Sequence, residues 1–249
     1  MASRTKGFCP AHNVFVFDSG VTFSSNFDNG NLADVEQGNK SHEFNIWTSP
    51  DAAPRDAASG SQTKNNAWFH FSVSGLTPGS TVKITVVNAS SHSSLYKHDM
   101  RPVYKCKSSN NKWGRIRTPV KYVKKEGECP TLSWEHQLQA TDDKIYFCFT
   151  YPYTYTMVQE DLDALNKHVN KLDDSHAIYW HRELLTSTRD GNRLDLVTIS
   201  SCYGADATQK EPLMDGIFPD AKSDGSTRPL VFPQKQILWI SGRVHPGEV

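Results

Sequence analysis

The residues whose types and spacing could do chemistry stand at the carboxyl end of this 249-residue chain, in Arg243-Val244-His245-Pro246-Gly247-Glu248. An imidazole and a carboxylate lie three residues apart, and Pro246-Gly247 between them favours a tight reversal that can aim both side chains at one point. Zinc accepts imidazole nitrogen and carboxylate oxygen at about 2.0–2.2 Å, and catalytic zinc sites use three protein ligands plus a water. His245 and Glu248 are two donors of that kind. Taken alone, such a pair is more often surface polarity than a metal site. Ile237-Leu238-Trp239-Ile240 is a short apolar run of the kind that fits a strand covered on both faces, and Ser241-Gly242 ends it just ahead of the pair.

The second feature is charge. The 27 basic and 27 acidic residues cancel, so no global field steers the chain toward nucleic acid or an anionic membrane. Locally, Arg101, Lys105, Lys107, Lys112, Arg115, Arg117, Lys121, Lys124 and Lys125 put nine positive charges into twenty-five residues with no Asp or Glu between them. One reading is a solvated edge strand guarded by lysines against sheet-to-sheet pairing. The other is an attractor for an acidic partner, because clustered positive charge raises the local concentration of polyanions. Tyr104, Trp113 and Tyr122 could stack on single-stranded RNA, but no RNA-binding motif accompanies them, and no nucleic-acid partner is expected.

Other chemistries find no support. No Ser-His-Asp or Cys-His arrangement and no Gly-rich phosphate loop can be argued from the sequence. His70, His136 and His181 sit in strand patterns without a metal-like partner and are expected to be structural. The five cysteines are odd in number and never in a Cys-x-x-Cys pair, which favours reduced thiols in a cytosolic protein. Residues 1–13 lack the apolar core of a secretory signal, and no run approaches the roughly 18 apolar residues of a membrane span, so a cytoplasmic protein without a membrane partner is expected. The triplets Asn39-Lys40-Ser41 and Asn88-Ala89-Ser90 matter only in a secreted chain.

Two regions must position these residues. From Val14 to about Tyr151 the period-two alternation, broken by turn residues, predicts an antiparallel β-sandwich. Phe69, Phe71 and Val73 alternate with His70 and Ser72, and Val82, Ile84 and Val86 resume after Thr77-Pro78-Gly79-Ser80 as a hairpin-like pair. Leu132, Trp134, His136 and Leu138 repeat the pattern; Ile145 to Phe149 is apolar on both faces and reads as an inner strand. Residues 51–66 lack any apolar period and predict a surface loop. After Tyr151-Pro152-Tyr153-Thr154-Tyr155, Thr156 and Gln159 fit a capping box, and Leu162, Leu165, Val169 and Leu172 recur at helical spacing. Ile178 to Leu185 and Leu194 to Ile199 flank Asp190-Gly191 and predict a long hairpin. The boundaries expected are 1–152 for the sandwich and 153–249 for the opening of an α/β domain.

At this point a resemblance enters. Arg243 to Glu248 resembles the first zinc motif of carboxypeptidase A-type metallopeptidases, and the chain is most similar to the cytosolic carboxypeptidases, particularly their type-five subgroup. Further stretches carry it: Phe27-Asp28-Asn29-Gly30-Asn31-Leu32, Glu43-Phe44-Asn45-Ile46-Trp47, Trp68-Phe69-His70-Phe71-Ser72-Val73, Tyr151 to Tyr155, and Tyr179-Trp180-His181-Arg182-Glu183-Leu184. Arg182-Glu183-Leu184 is expected to serve packing or an interface rather than chemistry.

The resemblance implies a β-sandwich followed by the truncated start of an α/β/α carboxypeptidase domain, with His245 and Glu248 as ligands to Zn2+. It implies a third ligand, a general-base glutamate and a carboxylate-anchoring arginine beyond Val249, where the family usually has Thr or Ser in place of valine. A truncated or spliced product, inactive by itself, is therefore expected. The implied activity is removal of glutamates from protein tails, tubulin above all, including branch-point glutamates. The implied location is cytoplasmic, extending to nuclear or microtubule-associated protein. The alternative is a non-catalytic sandwich that binds acidic tails, with Arg101, Lys105, Lys107, Arg115, Arg117, Lys121, Lys124 and Lys125 as the contacts.

Overall fold

The computed structural model of the chain describes residues 4–7, 13–50, 66–91, 93–172, 177–188, 191–236, 238 and 240. They fall into two compact units, one within residues 1–155 and one spanning Thr156–Ile240.

The first unit is a sandwich of two sheets. One has seven strands among the described residues, in the order β1 (Arg4–Gly7), β2 (Val14–Phe17), β3 (Thr22–Ser24), β6 (His70–Ser74), β12 (Lys144–Cys148), β8 (Val103–Cys106) and β9 (Gly114–Arg115). The other has five, in the order β10 (Lys121–Val123), β11 (Thr131–Gln137), β7 (Thr81–Val86), β5 (Glu43–Trp47) and β4 (Asp34–Gln37). Every pair is antiparallel except β5 and β7, which run parallel. A short helix α1 (Ser93–Lys97) lies between β7 and β8.

Alternation builds the core. On β11, Leu132, Trp134 and His136 point inward opposite Val86, Ile84 and Val82 of β7, and all six are buried. Aromatic rings tie the two sheets together. Phe69 stacks on Trp134 at 5.5 Å between centroids, Trp134 meets Phe147 edge-on at 5.8 Å, and Phe23 meets Phe44 at 4.8 Å.

One sandwich expectation needs correction. The segments expected to form a hairpin-like pair are β6 and β7, yet they belong to different sheets, and residues 75–80 carry the chain across the core. Both strands turn apolar faces inward from opposite sides, and alternation alone cannot separate that from neighbours in one sheet. Gly75 makes the crossing possible: its φ is +74°, and a Cβ there would lie 2.2 Å from the Gly20 carbonyl oxygen. His70, expected to be structural, and Ser72 beside it are both buried. Phe27 lies edge-on to His70 at 4.7 Å, Trp113 at 5.5 Å, and Phe27 also reaches Tyr146 at 5.5 Å.

The loop carrying Phe27 is built for this. Asn29 takes φ +68°, and a Cβ on Gly30 would lie 2.1 Å from the Ser25 carbonyl oxygen. Asn31 then joins three segments: its side chain donates to the Ser49 and Trp68 carbonyls and accepts from the Ser49 amide, while its own amide donates to His70.

The second unit holds helix α2 (Tyr155–Val169) and the hairpin β13 (Ile178–Ser187) with β14 (Arg193–Ser201), followed by the small pair β15 (Asp206–Lys210) and β16 (Leu230–Val231). The expected hairpin pairs from Ile178↔Ser201 to Ser187↔Arg193, with a register shift between Leu184 and Thr186. Its connection is residues 188–192, in which Gly191 takes φ +80°; Asp190 lies outside the described residues. Helix α2 starts one residue before Thr156, so Thr156 stands in its first turn rather than capping it, and the Gln159 amide donates instead to Asp195 at 2.9 Å. No residue of α2 is buried, and Leu165 is exposed.

Most of the loop expected over 51–66 lies outside the described residues. So do Ile237 and Trp239, whereas Leu238 and Ile240 are each 82% exposed and belong to no strand. The buried strand expected over 237–240 is therefore corrected for its two described members, which no described element covers.

Candidate functional site

His245 and Glu248 lie outside the described residues. Their donor types, imidazole and carboxylate, suit zinc. Among the described residues no group of three or more His, Cys, Asp or Glu side chains could hold a metal, so this pair stays the chain's candidate metal end.

The basic segment is resolved in detail, and the fold divides it. Arg115 lies on β9, the edge of the seven-stranded sheet, and Lys121 starts β10, the edge of the five-stranded sheet. One run of cations therefore lines an edge of each sheet, as guarded edges require. Several charges are occupied. Arg101 grips Asp99 through two bonds of 2.8 and 2.9 Å and donates to the Arg117 carbonyl at 2.6 Å. Arg115 donates to the Arg101 carbonyl at 2.6 Å and lies over Tyr151. The Lys105 ammonium stands 5.2 Å from the Trp113 ring centre and 5.1 Å from that of Tyr146, helping to roof the outer face above His70. Lys125 pairs with Glu128 at 3.4 Å with both side chains largely exposed, a contact worth little in water. Lys107, Lys112, Lys121 and Lys124 are exposed and form no ion pair among the described residues.

Beside this edge lies an open groove of about 800 Å³, lined among others by Tyr104, Ser108, Arg117, Thr118, Glu135 and His136. It is a polar surface carrying both signs of charge. Asp142 supports its floor, accepting from the Ser108 amide and hydroxyl and from the Gln139 amide, each at 2.9 Å. Burial would raise the Asp142 carboxyl, but these donors outweigh it and hold the group below its ordinary range. His136 is driven the other way: burial, with Arg117 adding to it and Asp142 opposing, pushes it down to about 4. His70 is likewise pushed down to about 4 by burial and by Lys105. Both imidazoles are neutral at pH 7, as structural histidines should be.

In the second unit, Tyr179 to Leu184 does structural work of a kind not visible in the sequence. Arg182 donates to Asp163 at 2.6 Å, to Gln159 at 2.6 Å and to Asp195 at 3.1 Å, clamping α2 to the hairpin. Burial pulls Asp195 up, yet bonds from Arg182, Gln159 and Arg193 hold it below the usual carboxylate range. On the alternate face Glu183 pairs with Arg228, whose guanidinium centre lies 3.4 Å from the Phe218 ring centre; Arg228 is 5% exposed. Arg228 stands 45 residues from its partner, beyond the reach of any local pattern.

Comparisons with known proteins agree with this picture. Residues 23–150, more than half of the chain, match the family described as cytosolic carboxypeptidase N-terminal domain. The chain is 36% identical to cytosolic carboxypeptidase-like protein 5 of Mus musculus over 258 residues, covering 92% of this chain and 28% of that protein. The same protein of Danio rerio is also 36% identical, with the same shares covered. Cytosolic carboxypeptidase 6 of Mus musculus is 30% identical, covering 92% of this chain and 35% of that protein. The chain thus spans less than a third of the length of the first two relatives. Among solved structures, a metallo-carboxypeptidase from Burkholderia cenocepacia superposes with a TM-score of 0.50 at 18% identity, over 79% of this chain and 41% of that one, a likeness of fold. With the family matched across the sandwich and the relatives aligned over nearly all of the sequence, the chain belongs to the cytosolic carboxypeptidase family.

Proposed function

We propose that this chain carries the sandwich and the first two metal ligands of a zinc metallocarboxypeptidase that removes glutamates from protein tails, tubulin's among them. The observation that carries the reading is the 36% identity to cytosolic carboxypeptidase-like protein 5 across 92% of the chain, His245 and Glu248 being an imidazole and a carboxylate at a spacing that suits zinc. Bound zinc would supply Lewis acidity and an activated water there. This chain's own contribution would be the donors His245 and Glu248 and the sandwich ahead of them.

The test is a chimaera in which this chain replaces the aligned segment of the mouse relative. It should release terminal glutamate from a glutamate-tailed peptide in a zinc-dependent reaction, and His245→Ala should abolish release while leaving the sandwich folded. Unchanged release by that variant would overturn the assignment.

A second reading, compatible with the first, is that the basic edges draw acidic tails to the sandwich. Its support is the set of exposed, unpaired cations Lys107, Lys112, Lys121 and Lys124 together with Arg115 and Arg117.

A further inference from the structure

The segment between the two basic edges has a property that neither zinc chemistry nor tail binding uses. Thr118-Pro119-Val120-Lys121 is a hydroxyl residue followed by proline, with a cation three positions after the hydroxyl. Kinases that require proline after the acceptor hydroxyl do so because proline has no N–H to leave unsatisfied in their cleft. Proline also biases the residue before it toward the extended backbone in which a substrate is threaded.

The chain contains three serine- or threonine-proline pairs: Ser49-Pro50, Thr77-Pro78 and Thr118-Pro119. All three pairs are exposed, and they differ in how their backbones are held. Ser49 is held on both sides of its backbone by the Asn31 side chain, at 2.9 and 3.0 Å. Thr77 opens the tight turn of the sheet crossing, its carbonyl accepting from the Ser80 amide and hydroxyl. Neither has a cation three positions on; Ala52 and Ser80 stand there. Thr118 lies where strand pairing stops at Arg115 and resumes at Lys121, and Arg117, Thr118 and Pro119 are all exposed. The link is anchored by buried Ile116, whose amide donates to the Pro102 carbonyl at 2.9 Å, and by Val120, which packs on the core; between them Arg101 donates to the Arg117 carbonyl and the Thr118 hydroxyl donates to the Glu135 carbonyl at 2.6 Å. Freeing that exposed hydroxyl costs about 1 kcal/mol, well within what substrate binding offsets.

We propose that Thr118 is a phosphoacceptor for proline-directed protein kinases. In the transfer, the Thr118 oxygen bonds the γ-phosphorus of ATP, the bond from that phosphorus to the β–γ bridging oxygen breaks, ADP leaves, and the hydroxyl proton passes to the kinase's catalytic carboxylate. The product places a charge of about −2 in a stretch that carries Arg115, Arg117 and Lys121, in a groove that Arg117 and Glu135 also line.

The experiment is incubation of the purified 249-residue chain with ATP and a cyclin-dependent kinase, followed by intact mass and phosphopeptide mapping. A single phosphate on Thr118 is expected, lost in Thr118→Ala, slowed at least tenfold in Pro119→Ala and slowed less in Lys121→Ala. Circular dichroism of each variant checks that the sandwich is folded. Modification of Ser49 or Thr77 at the rate of Thr118 would overturn the proposal. So would phosphorylation of a synthetic peptide spanning residues 112–125 when the folded chain stays unmodified, because the geometry of the link would then have been misjudged.

Discussion

The sandwich and the second unit are written in similar letters and held together differently. In the sandwich, inward residues of both sheets, from Phe15 to Phe149, form a single buried cluster. In the second unit Leu184, Phe218 and Pro229 are the buried apolar side chains among those described, while Met157, Leu165, Leu194 and Ile199 are exposed. What joins α2 to its hairpin is polar: Arg182 with Asp163, Gln159 and Asp195, and alongside it Glu183 with Arg228. Alternation makes strands in both places, but a core forms only where a second sheet covers the first.

The sharpest way to break this contrast is a crossed pair of mutations. Trp134→Ala should destabilise the sandwich by about 3–5 kcal/mol, since the ring is fully enclosed. In the second unit the polar change should dominate. Glu183→Gln leaves a buried Arg228 uncompensated, at about 3 kcal/mol, and should exceed Leu184→Ala. Urea titration followed by peptide-resolved hydrogen exchange reads each unit separately. If Leu184→Ala costs the second unit more than Glu183→Gln, the contrast fails.

Acid sharpens it next. His70 and His136 titrate near 4 in the folded sandwich and near 6.5 once unfolded. Between those values the unfolded chain binds more protons, so stability present above pH 6.5 drains as pH falls and is gone near 4, by up to about 3 kcal/mol per histidine. Asp142, held below its ordinary range, contributes stability above about pH 3.8 that is lost at still lower pH. His136→Phe should remove about half of the slope between pH 6.5 and 4; an unchanged slope would place the titration elsewhere.

The smallest effect leaves both units folded. Lys121→Glu, Lys124→Glu and Lys125→Glu together should slow association of a glutamate-rich peptide more than they speed its dissociation, and wild-type binding should weaken steeply with salt over a Debye length of about 8–10 Å. Equal binding by wild type and triple variant at low salt would leave the basic strands as guarded edges only.

Much of this could be read from the residues. The inward set of β11 follows from alternation, because period two survives whatever lies opposite; the inner strand β12 follows from a run apolar on both faces, and the β13–β14 hairpin from the turn dipeptide between its arms. The layer above His70 could not be read, because its roof comes from Phe27, Trp113 and Tyr146, residues far apart in sequence. Nor could the division of the basic run between two sheets, since charge spacing carries no information on which strand pairs with which. Arg182 to Leu184 was expected to pack, and its role as a clamp depends on Asp195 and Arg228, invisible to a local pattern. His245 and Glu248 lie outside the described residues, and their reading as metal donors rests on the sequence alone.

The position of β12 governs the order in which the sandwich can assemble. It is the last strand of its sheet to be made, yet it lies between β6 and β8, pairing Cys148 with both His70 and Val103. A ribosome adding roughly 5–20 residues per second therefore leaves β6 without that neighbour for several seconds after it emerges. With partners so distant along the chain, closure should be slow even in dilute buffer, in the millisecond-to-second range of β-rich domains. A nascent chain halted before residue 144 presents one unpaired backbone edge of β6 and one of β8 to whatever meets it first.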